Sequence, residues 1–246
     1  MPITVVVPAY KEEKRLPPSI RDIKSFFKGL NIPVEVLVVV EKSPDRTVEK
    51  AREAAGDEPW IQVIDNEVQR GKGYAVKSGM MRATGEIVFF MDADLSTPLS
   101  EVLNFLAHFA EHPETDVIIG SRSEAKSQVI KKQSWFRQSL GRGFNKFVQF
   151  FGVRGIVDTQ CGFKAFRAKA CKDVFSRQTL NGFAFDVEVL MLAQMMNYKI
   201  DVRPVKWIND EDSKVRILID PFKMLWDLIQ IRRIVKRTLR ERPHAP

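Results

Sequence analysis

The sequence predicts an α/β protein built on a doubly wound, mostly parallel sheet flanked by helices. Short apolar runs alternate with segments of helical periodicity through the first 120 residues, which is typical of successive β-α units. Several runs are apolar at consecutive positions, as expected when helices cover both faces of a sheet. Polar residues follow these runs directly, where the carboxyl ends of the strands would form a ligand crevice.

Five strands are predicted from runs rich in apolar and β-branched residues. In chain order they are Ile3–Val7, Val34–Val40, Ile61–Ile64, Ile87–Met91 and Val117–Gly120. Pro8 has no backbone N–H group, and we expect it to end the first strand.

Four helices are predicted between these strands. In chain order they are Pro18–Leu30, Arg46–Ala55, Gly73–Arg82 and a helix from about Pro98 to His108. Ile20, Ile23 and Phe27 have helical spacing in the first of them. A glycine turn precedes the third, and Thr97 is expected to cap the fourth, with Pro98 in its first turn.

After residue 122 the alternation weakens, and two segments combine aromatic with basic residues. We expect one domain over residues 1–212, with an amphipathic segment inserted at 130–151, followed by a basic amphipathic helix and tail over 213–246. Such helices lie in a membrane interface or pack on their own domain with a solvated basic face. Both interpretations stay open for these two segments.

The net charge of +8 is distributed unevenly. Residues 122–154 carry a balance of +7 and residues 214–242 a balance of +6, so the remainder is mildly acidic at −5. This pattern favours anionic lipid, nucleic acid or a phosphorylated substrate. Two cysteines do not form a disulfide framework, which is typical of a cytosolic protein. No signal peptide and no apolar run long enough to span a bilayer are found.

Asp92 and Asp94 directly follow the apolar strand Ile87–Met91. Positions i and i+2 of an extended chain point to the same side, so both carboxylates can face one point. Carboxylate oxygens suit Mg²⁺ or Mn²⁺, and such an ion would bind a diphosphate and stabilise it as it leaves. The alternative is a loop in which Asp94 or Thr97 only caps the next helix.

Two further stretches offer contacts to a nucleotide. Pro8, Tyr10 and Glu12 follow the first strand, and Lys72 lies in the turn Gly71-Lys72-Gly73 before a helix. Backbone amides at such a helix start, together with the lysine, bind phosphate. Each stretch taken alone is equally compatible with a solvated charged turn.

Taken in order, seven phrases of the chain resemble the family-2 glycosyltransferases of the GT-A fold. They are VVVPAYKEEKRLP, GKGYAVKSGMMRATGE, DADLSTP, IGSR, DTQCGFKAFR, FAFDVEVL and the late DSK. The resemblance is greatest to the dolichyl-phosphate β-glucosyltransferases, with the dolichol-phosphate mannose synthases as cousins. It implies inverting transfer of a hexose, with glucose from UDP-glucose expected, to a polyprenyl or dolichyl phosphate. It also implies a peripheral protein on the cytoplasmic face of a membrane.

The resemblance also implies roles for individual residues. It assigns Pro8, Tyr10, Glu12 and Lys214 to the nucleotide sugar, Asp92 and Asp94 to the metal and diphosphate, and Arg122 and Arg137 to the acceptor phosphate. A phosphate with a second pKa of about 6 is already an oxyanion near neutral pH, so no strong base is required. Asp186 is the candidate if a base exists. Its alternative is a structural acid that binds a backbone amide or Arg167.

The chain departs from the family pattern after its second strand. Relatives usually carry two adjacent aspartates there, whereas this chain has Val40 and Glu41, followed by Lys42 and Ser43. Glu41 can still accept a hydrogen bond from a nucleobase, but Val40 cannot. Both UDP and GDP therefore stay open as the nucleotide of the donor. Ser96 also lies where some relatives carry a stronger metal ligand.

Three alternatives remain at this stage. The first is a GDP-mannose-dependent polyprenyl-phosphate mannosyltransferase, and the second is a soluble glycosyltransferase that acts on a sugar hydroxyl. The third is a non-enzymatic scaffold that binds lipid through its basic segments. Nucleic acid is not an expected partner, and the sequence does not indicate an oligomeric state.

Overall fold

The computed structural model describes residues 1–122, 128–129, 153, 155–208 and 220–241, and the side chains of the last helix from residue 230 onward. The strands in this part of the chain are β1 (Ile3–Ala9), β2 (Val34–Glu41), β3 (Ile61–Asn66), β4 (Ile87–Met91), β5 (Val117–Ser121), β6 (Gln128–Val129), β7 (Phe163–Arg167), β8 (Ile200–Pro204) and β9 (Lys206–Trp207). The helices are α1 (Leu16–Lys28), α2 (Thr47–Ala55), α3 (Lys72–Arg82), α4 (Glu101–Glu111), α5 (Ala168–Arg177), α6 (Phe185–Met195) and α7 (Asp220–Glu241).

Seven strands form one sheet in the order β3-β2-β1-β4-β7-β5-β8, and β6 pairs with β9 separately. In the large sheet every strand is parallel to its neighbour except β7, which runs antiparallel to β4 and β5. The carboxyl ends of β1 to β5 therefore meet at one edge, and β7 begins at that same edge. This edge is where a doubly wound sheet binds ligands.

Helices cover both faces of the large sheet. One apolar cluster joins alternate residues of the strands to α1, α2 and α4. A second cluster joins the other residues to α3, α5, α6 and α7. All seven residues of β1 are buried, which explains why its sequence is apolar without alternation apart from Thr4. The prediction of a doubly wound, mostly parallel sheet is confirmed.

The predicted start of the fourth helix is wrong. The helix α4 begins at Glu101 with Ser100 as the preceding cap residue, not at Pro98 with Thr97 as its cap. The chain just before Thr97 is hydrogen-bonded to a distant segment, since the carbonyl of Ser96 accepts a hydrogen bond from the amide of Ile208 at 2.8 Å. Turn-type hydrogen bonds then fill residues 98–102 before the helix is established.

Pro8 does not end the first strand, which continues to Ala9. It lies opposite Val39 of β2, whereas the pairing of β1 with β4 ends at Val6. A proline is tolerated where one side of a strand has no ladder partner, and that is the situation at Pro8.

The described part of α7 packs on the domain. Ile231 and Val235 are fully buried in the same cluster as α6. The opposite side exposes five basic residues, namely Arg232, Arg233, Lys236, Arg237 and Arg240. Of the two interpretations of the C-terminal segment, packing on the domain holds for residues 230–241.

The amphipathic segment predicted at 130–151 lies outside the described residues. The domain boundary at 212 stays a prediction. Among the residues that the structure describes, no helix is both long and apolar enough to cross a membrane.

Candidate active site

Asp92 directly follows β4 at the carboxyl edge of the sheet, and its surroundings fix its orientation. Its Oδ1 lies 2.7 Å from Nζ of Lys72, the first residue of α3. Its amide donates to the carbonyl of Gly162 at 3.0 Å. A Cβ atom at Gly162 would lie 1.8 Å from Asp92 Oδ2, so residue 162 must be glycine while this carboxylate keeps its place.

Asp94 lies two residues further along, in a turn that Leu95 continues with a φ of 49°. Its Oδ1 accepts a hydrogen bond from the amide of Ser96 at 3.0 Å. Burial raises the pKa of Asp94, and the neighbouring charge of Asp92 raises it further. The charge of Asp92 thus disfavours ionisation of Asp94, and a divalent cation would relieve this repulsion.

The donor set fits such a cation. Both aspartates supply hard oxygen ligands, which Mg²⁺ and Mn²⁺ prefer. Among the described residues, no cluster of three or more His, Cys, Asp or Glu side chains is placed to hold a metal. Oxygen atoms of a bound diphosphate or of water would therefore complete the coordination shell.

A buried ion pair lies beside the half-buried pair of Lys72 and Asp92. Nζ of Lys164, on β7, is 2.6 Å from Oδ1 of Asp186 in the first turn of α6, and it also donates to the carbonyl of Cys161 at 2.7 Å. The centre of the Phe90 ring is 5.3 Å from Nζ of Lys72 and 5.5 Å from Nζ of Lys164. Both ammonium groups therefore contact one aromatic ring of β4.

The position of Asp186 favours the structural interpretation of this residue. Its side chain is 3% exposed, and its partner is Lys164. The alternative partner Arg167 is wrong, because that guanidinium donates to the carbonyls of Phe109 and Thr115. Burial raises the pKa of Asp186, whereas Lys164 and Lys72 oppose the rise.

Arg122 follows β5 and is held by Asp158. Its Nε and Nη2 donate to the two carboxylate oxygens of Asp158 at 2.8 and 2.7 Å, and its amide donates to Oδ2 at 2.8 Å. The guanidinium carbon lies 5.4 Å from the centre of the Trp207 ring. Burial acts to raise the pKa of Asp158, but the hydrogen bonds from Arg122 and its positive charge together outweigh this effect and hold the pKa below its ordinary value. Arg122 is therefore a fixed cation at the edge of the site.

The charged groups around Asp92 and Asp94 that are described so far comprise four carboxylates and three cations. The charged groups are Lys72, Lys164, Arg122, Asp92, Asp94, Asp158 and Asp186. A divalent cation would reverse the sign of this balance and make the site attractive to a diphosphate.

The end of β1 is organised by contacts within the protein. The carboxylate of Glu12 accepts hydrogen bonds from Nε and Nη2 of Arg15 at 2.8 and 2.7 Å. Its amide donates to Oγ1 of Thr47 at 2.8 Å. Tyr10 is half-buried at the same edge, with Nζ of Lys11 5.4 Å from its ring centre.

Glu41 ends β2 and is 1% exposed. Its Oε2 accepts hydrogen bonds from the amides of Arg70 and Gly71, both at 2.7 Å. Its Oε1 has no hydrogen-bond partner among the described residues, and the same holds for Nδ2 of Asn66, which lies opposite Glu41 in the pairing of β2 with β3. One buried acceptor and one buried donor thus end adjacent strands.

The structure brings most of the predicted site residues to one edge. Pro8, Tyr10, Glu12, Glu41, Lys72, Asp92, Asp94, Arg122 and Asp186 all lie at or next to the carboxyl ends of the strands. Arg137 and Lys214 lie outside the described residues, and their roles stay predictions.

Sequence reasoning missed three residues of the phrase DTQCGFK. Asp158 anchors Arg122, Gly162 makes room for Asp92, and Lys164 neutralises Asp186. The phrase carried the resemblance, but a lysine inside an apolar strand and an aspartate in a loop give no signal of their partners.

Comparison with known proteins agrees with this geometry. Residues 4–175 match the sequence profile described as Glycosyl transferase family 2. A dolichyl-phosphate β-glucosyltransferase of Trichomonas vaginalis is 34% identical over 93% of this chain and 72% of its own length. The human dolichyl-phosphate β-glucosyltransferase is 34% identical over 94% of this chain and 74% of its own length.

A solved structure shows the same fold at low sequence identity. The glucosyl-3-phosphoglycerate synthase of Mycobacterium tuberculosis, in complex with Mn²⁺, UDP-glucose and glycerol 3-phosphate, has a TM-score of 0.68 at 16% identity. The match covers 94% of this chain and 78% of that one. Since the family profile spans most of the chain and the relatives align over more than nine-tenths of it, the protein belongs to glycosyl transferase family 2 and adopts the GT-A fold.

Proposed function

We propose that this protein transfers glucose from UDP-glucose to a polyprenyl or dolichyl phosphate with inversion at the anomeric carbon. The observation that carries the proposal is the juxtaposition of Asp92 and Asp94 with Lys72 at the carboxyl edge of the sheet. The relatives named dolichyl-phosphate β-glucosyltransferases support the choice of sugar and acceptor.

The donor would bind with its diphosphate at the end of β4. Asp92 and Asp94 would hold Mg²⁺ or Mn²⁺, and such an ion withdraws electron density from the leaving diphosphate. Lys72 is held by Asp92 beside the same point and adds a positive charge. This positive charge stabilises the negative charge that develops on the diphosphate in the transition state.

The nucleoside would lie toward β1, β2 and β3. We place Pro8, Tyr10 and Glu12 along it, with Lys214 closing over the donor. Glu41 Oε1 and Asn66 Nδ2 offer one acceptor and one donor at adjacent strand ends. The N3–H and a carbonyl of uracil would match that pair.

The acceptor phosphate would bind at Arg122, with Arg137 as a second contact. Arg122 presents a guanidinium that Asp158 already orients, so little side-chain entropy is lost on binding. The phosphate itself is the nucleophile, and orientation and charge compensation suffice for its attack. Asp186, buried against Lys164, is not needed as a base in this scheme.

A panel of UDP- and GDP-sugars with a short-chain polyprenyl phosphate and Mn²⁺ tests the proposal, with the mass of the lipid product as the readout. We expect a hexosyl phospholipid from UDP-glucose, and loss of that product in Asp94→Asn. Transfer from GDP-mannose alone would overturn the choice of donor. No transfer to the polyprenyl phosphate from any donor would overturn the choice of acceptor or the activity itself.

We also propose that the protein binds the cytoplasmic face of a membrane peripherally, because its acceptor is a lipid. The exposed basic side of α7 supports this proposal. Basic residues near an anionic surface contribute about 1 kcal/mol each. Binding would be electrostatic over residues 230–241, since the apolar side of that helix is already covered.

A further inference from the structure

The turn that carries Lys72 is packed against a second loop. A Cβ atom at Gly71 would lie 2.6 Å from the carbonyl oxygen of Asn181, and one at Gly73 would lie 2.6 Å from that of Leu180. The amide of Tyr74 also donates to the carbonyl of Asn181 at 3.3 Å. The position of Lys72 therefore depends on where residues 178–182 lie.

Residues 178–182 are in turn fixed by a buried carboxylate. Glu188 is 0% exposed, and its oxygens accept hydrogen bonds from the amide and hydroxyl of Thr179 and the amide of Leu180 at 2.7–3.0 Å. Gln178 links this loop to the turn, since its Nε2 donates to the carbonyls of Gly73 and Leu180 at 2.9 and 2.8 Å.

The turn is held on its other side by Glu41, which binds the amides of Arg70 and Gly71. Two buried carboxylates from different elements thus clamp the segment that contains Lys72. One acts directly, from the end of β2. The other acts through the loop before α6.

The mechanism described above uses neither Glu188 nor Gln178. Asp186 and Glu188 are two positions apart in α6, about 200° around the helix axis. One therefore contacts Lys164 of the sheet, whereas the other contacts the loop. Burying a carboxylate is unfavourable unless hydrogen bonds compensate, and the donors of Thr179 and Leu180 do so here.

We propose that Glu188 is a positioning residue for the reaction, which holds Lys72 against Asp92 by fixing the loop at residues 178–182 on the glycine turn. The proposal rests on the proposed function, because it needs Lys72 to contact the leaving diphosphate. A misplacement of about 1 Å at a reacting centre lowers a rate by about 100-fold. A residue that keeps Lys72 in place therefore affects the rate although it does not touch the substrate.

The test is a double-mutant cycle between Glu188→Gln and Lys72→Ala. The glutamine side chain turns an N–H group toward the donors of Thr179 and Leu180, so it cannot hold the loop as the carboxylate does. We expect Glu188→Gln to lower kcat by about tenfold or more in the wild type, and by less than about twofold when Lys72 is already alanine. Equal losses in both backgrounds would overturn the proposal.

Hydrogen exchange gives a readout that does not depend on activity. We expect Glu188→Gln to accelerate exchange in residues 179–182 and also in residues 70–75. Acceleration confined to 179–182 would overturn the coupling between the two loops. If wild type transfers no sugar while exchange rises in both loops, the proposed function fails and the clamp holds.

The control is Glu58→Gln. Its carboxylate also accepts three donors, from Lys24, Lys28 and Nε1 of Trp60, but it precedes β3 at the opposite edge of the sheet. We expect it to change neither kcat nor exchange at residues 70–75. Should Glu188→Gln fail to fold, Gln178→Met removes the direct link to Gly73, and the same cycle with Lys72→Ala decides.

Discussion

At the scale of single residues, the candidate site depends on residues that make space for its charged groups or pair with them. Gly162 is the sharpest case, because the space of its missing side chain is filled by the carboxylate of Asp92. Sequence reasoning found Asp92 and Asp94 from their position after a strand. It did not find Gly162, because nothing in the phrase DTQCGFK shows which side chain packs against that glycine.

Gly162→Ala is therefore expected to act on catalysis through Asp92. The new Cβ atom would displace Asp92 Oδ2, now 1.8 Å from its position, and separate this carboxylate from Lys72. We expect kcat for glucose transfer to fall by about 100-fold, as for other misplaced reacting groups. Gly29→Ala is the control, since its Cβ would meet its nearest neighbour at 3.6 Å. Unchanged kcat in Gly162→Ala would show that Asp92 need not stay where the structure has it.

Substitution of Asp186, which pairs with Lys164, shows whether Asp186 is a structural acid or a catalytic base. Removing one partner of a buried ion pair lowers the free energy of unfolding by about 3–5 kcal/mol, because the other charge stays buried without compensation. We expect Asp186→Asn to show such a loss in urea denaturation, since the side chain of Lys164 is 0% exposed. A large fall in kcat with unchanged stability would instead identify Asp186 as a base.

At the scale of elements, the sequence predicted the parallel half of the sheet better than the other half. The strands β1 to β5 follow apolar runs with clear boundaries, and Ile87–Met91 was predicted at its observed limits. The run FKAFR of β7 contains two basic residues, and its direction depends on tertiary pairing with β4 and β5. That antiparallel insertion brings Lys164 next to Asp186, which explains why their pairing could not be read from spacing.

The edge of the sheet at β8 is joined to α4 by a titratable contact. Oδ2 of Asp201 lies 2.7 Å from Nε2 of His108 and accepts a hydrogen bond from Oγ1 of Thr115 at 2.6 Å. Burial acts to raise the pKa of Asp201, but the hydrogen bonds from Thr115 and His108 outweigh it and hold the pKa below its ordinary value of 3.8.

This contact predicts an acid-sensitive part of the stability. A carboxyl whose pKa is lower in the folded state stabilises that state above its unfolded pKa, and the gain disappears as pH falls through the folded value. We expect the difference in free energy of unfolding between wild type and Asp201→Asn to shrink as pH falls below 3.8. Urea titrations at several pH values below about 5 measure it. A difference that grows as pH falls below 3.8 would have the wrong sign for this contact.

At the scale of the whole molecule, charge is arranged by face as well as by segment. Helix α7 lies on one face of the sheet with α3, α5 and α6, and its basic side points outward. The helices α1 and α2 lie on the other face. If membrane binding uses α7, removing basic residues from its face should weaken binding more than removing them from the face of α1 and α2. If binding depends only on net charge, the two replacements should weaken it equally.

Sedimentation with lipid vesicles separates these possibilities. We expect the protein to bind vesicles that contain phosphatidylserine, to bind neutral vesicles poorly, and to dissociate as salt rises, because the Debye length shortens to about 3 Å at 1 M salt. Replacing Arg233, Lys236 and Arg240 by glutamate should weaken binding by about 100-fold or more, at about 1 kcal/mol for each basic residue lost. The same change at Arg21, Lys50 and Arg52 of α1 and α2 is the matched control. Equal losses from both faces would show that net charge, rather than the basic side of α7, brings this glycosyltransferase to its lipid acceptor.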